Sequence, residues 1–175
     1  MMRSLPAAMA AALLPRPMPV ASQSVGRALY REMAEYGCTY WLAPAVNIHR
    51  NPLCGRNYEY FSEDPRLTGV LAAALTRGVQ QEEGFYATVK HFACNNQEEN
   101  RMAVSSVVGE RALREIYLRG FEAVVREGGV KAGMSPDAPE DVPLAGPAAG
   151  HDEIVACGHG RRAAAPAHAC GVPVG

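Results

Sequence analysis

The chain has 175 residues, 48% of them apolar, which is enough for one domain with a real core. A formal net charge of -1 gives no basic face for nucleic acid and no acidic tail, and it suits a polar, uncharged partner. Five cysteines (Cys38, Cys54, Cys94, Cys157 and Cys170), odd in number and without a CxxC pair, indicate neither a disulfide framework nor a zinc ribbon, so reduced thiols in a cytoplasmic protein are the simpler expectation.

At the front, Met1 to Leu14 (MMRSLPAAMAAALL) has the outline of a signal peptide, which would make the protein secreted or periplasmic. Against that reading, Pro15, Pro17 and Pro19 crowd the region before any cleavage site. No apolar stretch is long enough to span a membrane, so no membrane partner is expected. Ser24 to Tyr36 reads as a helix with Val25, Ala28, Leu29, Met33 and Tyr36 on its buried face and Gly37 as its stop. Tyr40 to Val46 reads as a buried strand, a short apolar run that ends in polar groups. Asp64 then caps a helix with Pro65 at its first position. Leu67, Val70, Leu71, Ala74, Leu75 and Val79 recur at helical spacing until Gly84.

Phe85 to Phe92 is the next buried strand, and it carries Lys90 and His91 at its C-terminal end. After a polar loop, Glu110 to Glu127 is a third helix with the stripe Leu113, Ile116, Tyr117, Phe121, Val124 and Val125, closed by Gly128-Gly129. Val130 to Ser135 is the third strand. Helix and strand alternate, which implies parallel strands joined by right-handed crossovers. From Ser135 to Gly175 the chain turns Ala-, Pro- and Gly-rich, without apolar periodicity, and six prolines from Pro136 to Pro173 prevent any long regular element.

Polar groups at the ends of buried parallel strands are where an α/β protein keeps its chemistry, so Arg56, Lys90 and His91 are candidates for one pocket. A guanidinium offers donors in a rigid fork suited to neighbouring hydroxyls. The plainer reading of Arg56 is a structural ion pair with Glu59 or Glu63. Lys90 and His91 fall on opposite faces of an extended strand, so both reach one ligand only where the strand end twists or bulges. Glu63 and Asp64 are better explained by the helix start than as catalytic carboxylates, and Glu59 as a brace for the Arg56 loop. Asn47 and His49 either line the pocket or hold the loop. In the tail, His151, Cys157, His159, His168 and Cys170 are of zinc-binding type, but their spacing matches no usual pattern, and no metal site is expected.

Three blocks carry a resemblance: APAVNIHRNPLCGRNYEYFSEDP, VKHFACNNQEENR from Val89 to Arg101, and GERALREIYLRGFEAVVREGGV from Gly109 to Val130. In that order they resemble the N-terminal catalytic domain of glycoside hydrolase family 3 from about Val25 to Met134, most closely its β-glucosidase branch. The family's N-acetylglucosaminidases carry Pro-Gly-His-Gly after Lys-His-Phe, whereas Lys90-His91-Phe92 here runs into Ala93-Cys94-Asn95-Asn96-Gln97-Glu98.

The resemblance implies an α/β fold: part of a (β/α)8 TIM barrel over residues 25–135, about three strand-helix units of a fold that needs roughly 250 residues when whole. It leaves residues 1–24 uncertain, because Leu5-Pro-Ala-Ala-Met9 also resembles a segment inside the barrel, and it stops within a residue or two of Ser135. Residues 136–175 are then either disordered or the product of a shifted reading frame. The proline-rich stretch from Pro15 to Val20 interrupts it in a similar way.

The implied reaction is retaining hydrolysis of an O-glycosyl bond in a β-linked saccharide, from the non-reducing end, without metal or organic cofactor. By resemblance Arg56, Lys90 and His91 hold the sugar, while Asn47, Glu59, Asn95 and Asn96 support them. Family members place the aspartate nucleophile in a Ser-Asp-Trp type sequence and another sugar-binding aspartate in Asp-Gly-Pro, and neither sequence occurs here. The acid/base glutamate normally lies in a second domain. Retaining hydrolysis needs two carboxyls about 5 Å apart, so no catalytic residue is assigned and the chain alone is expected to be inactive. The family also tends to be acidic where Ser105 and Gly109 stand, which removes a helix-capping carboxylate at Gly109. Two rival readings are a non-catalytic carbohydrate-binding remnant and a structural module with a metal-binding tail.

Overall fold

A computed structural model describes residues 17–99, 106–136 and 152–156. The order is α1 (Pro17–Glu35), β1 (Tyr40–Trp41), a 3₁₀ turn (Asn57–Glu59), α2 (Pro65–Val79), β2 (Tyr86–Val89), α3 (Glu110–Ala112), a π-helical turn (Leu113–Tyr117), α4 (Arg119–Arg126), β3 (Ala132–Pro136) and β4 (Asp152–Ala156). One sheet runs β1-β2-β3-β4. β1, β2 and β3 are parallel, with Tyr40 beside Tyr86 and Thr88 beside Ala132. Helices connect them in sequence, as in a section of a (β/α)8 barrel.

Helix α1 begins seven residues before the expected Ser24. Pro17 is its first residue, and a proline there gives up an amide that has no partner in the first turn while its fixed φ already suits the helix. The proline-rich stretch therefore starts the helix instead of breaking it. At the other end Gly37 takes φ +68, and the Cys38 amide reaches back 2.8 Å to the Met33 carbonyl, closing the helix as expected.

The buried face of α1 differs from the expected one. Met33 is buried, but Val25 and Tyr36 are 54% and 77% exposed. The side turned inward carries Ser22, whose hydroxyl donates to the Leu71 carbonyl at 2.8 Å, and Gly26. Gly26 lies against Gly78 of α2, and a Cβ on Gly26 would sit 2.9 Å from the Gly78 Cα and would also strike the Leu75 carbonyl oxygen. Close approach of two backbones decides the part of this face around Gly26, while Leu29 and Met33 of the expected stripe pack into the core.

Helix α2 starts as its sequence predicts. The Asp64 carboxylate accepts from the Arg66 and Leu67 amides at 2.7 and 3.2 Å, and Pro65 follows. The helix stops at Val79, short of Gly84, and the Gln80 side chain takes over. Its Oε1 accepts from the Ala87 amide at 3.1 Å and the Lys131 amide at 3.3 Å, and its Nε2 donates to the Gly129 carbonyl at 2.9 Å. α2 is buried along both flanks, with Ala72 and Ala74 at 0% exposure, because it packs between α1 and α4 above the sheet.

The expected strand Tyr40–Val46 is shorter than predicted. Regular pairing covers Tyr40–Trp41, and an isolated parallel bridge joins Ala45 to Lys90. Pro44, preceded by a cis Ala43-Pro44 peptide, has no amide to give the ladder. The chain still follows β2 through bonds from Thr88 and Lys90 amides to the Ala43 and Pro44 carbonyls, each 3.0 Å. β2 likewise ends at Val89, leaving Lys90 and His91 just past it.

The third helix is interrupted. The Leu118 amide bonds the Leu113 carbonyl five residues back at 2.8 Å, a π turn that divides α3 from α4. Leu113, Phe121 and Val124 of the expected stripe are buried, whereas Val125 is 49% exposed, outside the core face. Gly109 is the N-cap of α3, extended at φ -70 and ψ 144, and provides no side-chain cap. A Cβ there meets nothing within 4 Å. Gly109→Asp is expected to stabilise the fold by a few tenths of a kcal/mol, read as a raised urea midpoint at unchanged m, and a lowered midpoint contradicts the cap assignment.

β4 corrects the expectation of parallel strands throughout. It pairs antiparallel with β3, Ala132 opposite Ala156 and Pro136 opposite Asp152. Asp152–Ala156 is a five-residue element inside the tail, short enough to fit between the prolines and centred on Ile154-Val155. The tail residues His151, Cys157, His159, His168 and Cys170, and Ser105, lie outside the described residues. No described helix is long and apolar enough to cross a membrane.

Candidate functional site

The loops leaving β1 and β2 meet above the C-terminal ends of the parallel strands. Asn47, 2% exposed, opens the first loop and grips the second. Its Oδ1 accepts from the His91 amide at 2.9 Å and faces the His91 Nδ1 at 3.1 Å, while its Nδ2 donates to the His91 carbonyl at 3.0 Å. Because the carbonyl oxygen only accepts, Nδ1 carries the proton, and in the neutral ring Nε2 is the acceptor. His91 is 3% exposed and follows Lys90 through a cis peptide. Asn47 thus holds the neighbouring loop. His49 instead braces its own loop, its Nε2 meeting the Asn57 carbonyl at 3.0 Å.

Arg56 stands at the start of the 3₁₀ turn, which brings Glu59 beside it. The Glu59 carboxylate bridges two cations, Oε1 bonded to the Arg56 Nε and Oε2 2.9 Å from the Lys90 Nζ. A second carboxylate, Glu98, lies 3.8 Å from the Arg56 Nε. Arg56 is therefore paired with Glu59 and not with Glu63, which is exposed ahead of the Asp64 cap. Partial burial alone would raise the Glu59 carboxyl, but hydrogen bonds and charge from Arg56 and Lys90 outweigh it and hold its pKa below the ordinary value. Burial works against the charged Arg56 as well, and the Glu59 bond and nearby negative charge overcome it, raising that pKa.

The second loop is fastened from beneath. Asn95, 3% exposed, donates from Nδ2 to the Tyr60 hydroxyl at 3.0 Å and to Glu98 Oε1 at 2.8 Å, and the Tyr60 hydroxyl donates to the Asn95 carbonyl at 2.9 Å. Burial pushes the Tyr60 hydroxyl pKa well up, so it stays a donor. Asn96 donates to the Ile48 carbonyl. The structure thus joins Arg56 to Lys90 through Glu59, and joins His91, Asn95 and Asn96 to the first loop.

Sequence reasoning missed Tyr60; the one signal was an aromatic next to Glu59 at a position that turns out buried. Beside this cluster, a cleft of about 280 Å³ opens between Arg50, Asn51, Asn96, Gln97, Val107 and Tyr117, without Arg56, Lys90 or His91 in its wall. The Arg50 guanidinium caps it, bonded to the Tyr117 hydroxyl at 3.1 Å and 5.3 Å from that ring's centre. Among the described residues Cys38, Cys54 and Cys94 are in no disulfide, and the last two are buried.

Against known proteins, the sequence model of the glycosyl hydrolase family 3 N terminal domain matches residues 2–155. That span is wider than the three blocks: it includes Leu5 to Met9, runs through Pro15 to Val20 and passes Ser135 into β4, so the resemblance does not end where expected. The chain is 56% identical to beta-glucosidase A of Butyrivibrio fibrisolvens over 103 residues, which is 59% of this chain and 12% of that protein. It is 51% identical to thermostable beta-glucosidase B of Acetivibrio thermocellus over 105 residues, 60% of this chain and 14% of the relative. Among solved structures, beta-glucosidase 3B from Thermotoga neapolitana in complex with α-D-glucose is similar at a TM-score of 0.63 and 56% identity, covering 65% of this chain and 16% of that one.

Proposed function

The chain belongs to the glycosyl hydrolase family 3 N-terminal domain family, and from that premise we propose that Arg56, Lys90 and His91 form the sugar-holding part of a β-glucosidase-type site. The reaction served is retaining hydrolysis of an O-glycosyl bond in a β-linked saccharide. The observation that carries this reading is the Glu59 bridge, which sets Arg56 and Lys90 side by side at the C-terminal ends of adjacent parallel strands. These residues hold and orient hydroxyls. Neither the nucleophile nor the acid/base is assigned to any residue of this chain, so residues 25–135 act as a unit that contributes sugar contacts to a larger catalytic assembly.

An exchange experiment tests this. The full chain should release no aryl alcohol from an aryl β-glucoside above buffer. The segment from Tyr40 to Ser135, exchanged into the matching part of the Thermotoga neapolitana enzyme, should support turnover. In that chimera Arg56→Ala, Lys90→Ala and His91→Ala should each cost about 2 kcal/mol, roughly thirtyfold in kcat/KM, and less than additively because they share one ring. Glu63→Gln should change little. Loss of activity in Glu63→Gln with Arg56→Ala and Lys90→Ala intact would overturn the assignment.

A further inference from the structure

Two cations at neighbouring strand ends are ordinary equipment for an anionic ligand such as a uronate or a sugar phosphate. Here a carboxylate has been placed between them. Glu59 spends one oxygen on the Arg56 Nε and the other on the Lys90 Nζ, and Glu98 adds a further negative charge 3.8 Å from the Arg56 Nε. The three bridged side chains are only 13–19% exposed, so water screens the pairing less than at an open surface. The pairing also leaves chemistry over: no contact of Arg56 among the described residues uses its Nη groups, and Lys90 has three donor protons of which Glu59 takes one. Such donors suit uncharged hydroxyls, which ask for direction and not for surplus positive charge.

We propose that Glu59 is a specificity-determining residue: by bridging Arg56 and Lys90 it fixes their remaining donors for the hydroxyls of a neutral sugar and excludes anionic sugars. This rests on the sugar-holding role proposed above. A ligand bearing a carboxylate or phosphate would bring its charge beside Glu59 and Glu98, and like charges a few ångströms apart in a partly dry site repel.

The test uses the full chain, wild type and Glu59→Gln, with amide shifts of Arg56, Lys90 and His91 followed by NMR during titration with glucose, glucuronate and inorganic phosphate. Removing one charge at contact distance is expected to raise affinity for phosphate and glucuronate about tenfold, while glucose affinity does not rise. Glu98→Gln, a more distant partner, should give a smaller rise of the same sign and carries the test should Glu59→Gln lose its dispersed spectrum. Wild-type amides that respond to phosphate as strongly as those of Glu59→Gln, or of Glu98→Gln where that variant carries the test, would overturn the proposal. Glucose that shifts no amide in either protein, with the phosphate gain still seen, supports the exclusion of anions and overturns only the sugar-holding reading.

Discussion

Asn47→Ala is expected to cost the fold about 3 kcal/mol, because one buried carboxamide serves three partners on His91 and alanine serves none. The His91 amide, carbonyl and ring Nδ1 would each lose a bond of 2.9–3.1 Å. At 2% and 3% exposure for the two residues, water cannot step in without opening the loop. The urea midpoint of the full chain should fall accordingly at unchanged m, and the ring nitrogens of His91 should change their chemical shifts, since Asn47 sets the tautomer. Asn47→Asp should not rescue: it keeps an acceptor but turns a negative oxygen toward the His91 carbonyl. A loss below about 1 kcal/mol for Asn47→Ala would show that the two loops are held together elsewhere.

Gly26→Val should cost about 3 kcal/mol as well, by a different route. Its Cβ would lie 2.9 Å from the Gly78 Cα and 3.0 Å from the Val79 nitrogen, and these are backbone atoms that cannot swing away. The same crowding exists in reverse, with a Cβ on Gly78 lying 2.8 Å from the Gly26 Cα. Helices α1 and α2 would have to separate along their whole crossing, loosening the packing around Met33 and Val79. Val25→Ser, one residue away on the exposed side, should stay within about 0.5 kcal/mol. If Val25→Ser proves the more damaging of the two, α1 is rotated from the orientation described.

Features governed by neighbouring residues were readable in the sequence. Asp64 before Pro65 announces a helix start because cap and capped amides lie two and three residues apart. The strand ends at Lys90 and His91 were visible from an apolar run meeting charge, and Glu59 as a brace for Arg56 follows from a spacing of three. Features that depend on distant partners were not readable. Asn47 and His91 are separated by 44 positions, and nothing near Asn47 distinguishes a clamp from a pocket wall. The face of α1 was misjudged because Val25 outranks Gly26 on any hydrophobic scale, whereas the requirement that Gly26 meets is set by Gly78 across the interface. The early start at Pro17 and the short β1 share a lesson: proline helps at a helix's first turn and cannot donate within a ladder, so its effect depends on an element boundary that periodicity does not supply. β4 escaped notice because its partner strand, not its own five residues, makes it a strand.

The Gln80 side chain carries a consequence for alignment. Its single carbonyl oxygen accepts from Ala87 on β2 and from Lys131 on the approach to β3, while its amide holds Gly129. A slide of β3 past β2 by one residue would pull Lys131 off that oxygen and at the same moment turn every side chain of the strand to the opposite face. The two losses cannot be taken separately, so the pair behaves as a ratchet with one tooth. Lys90 and His91, carried on the far end of β2, inherit their position from a glutamine at the opposite end of that strand.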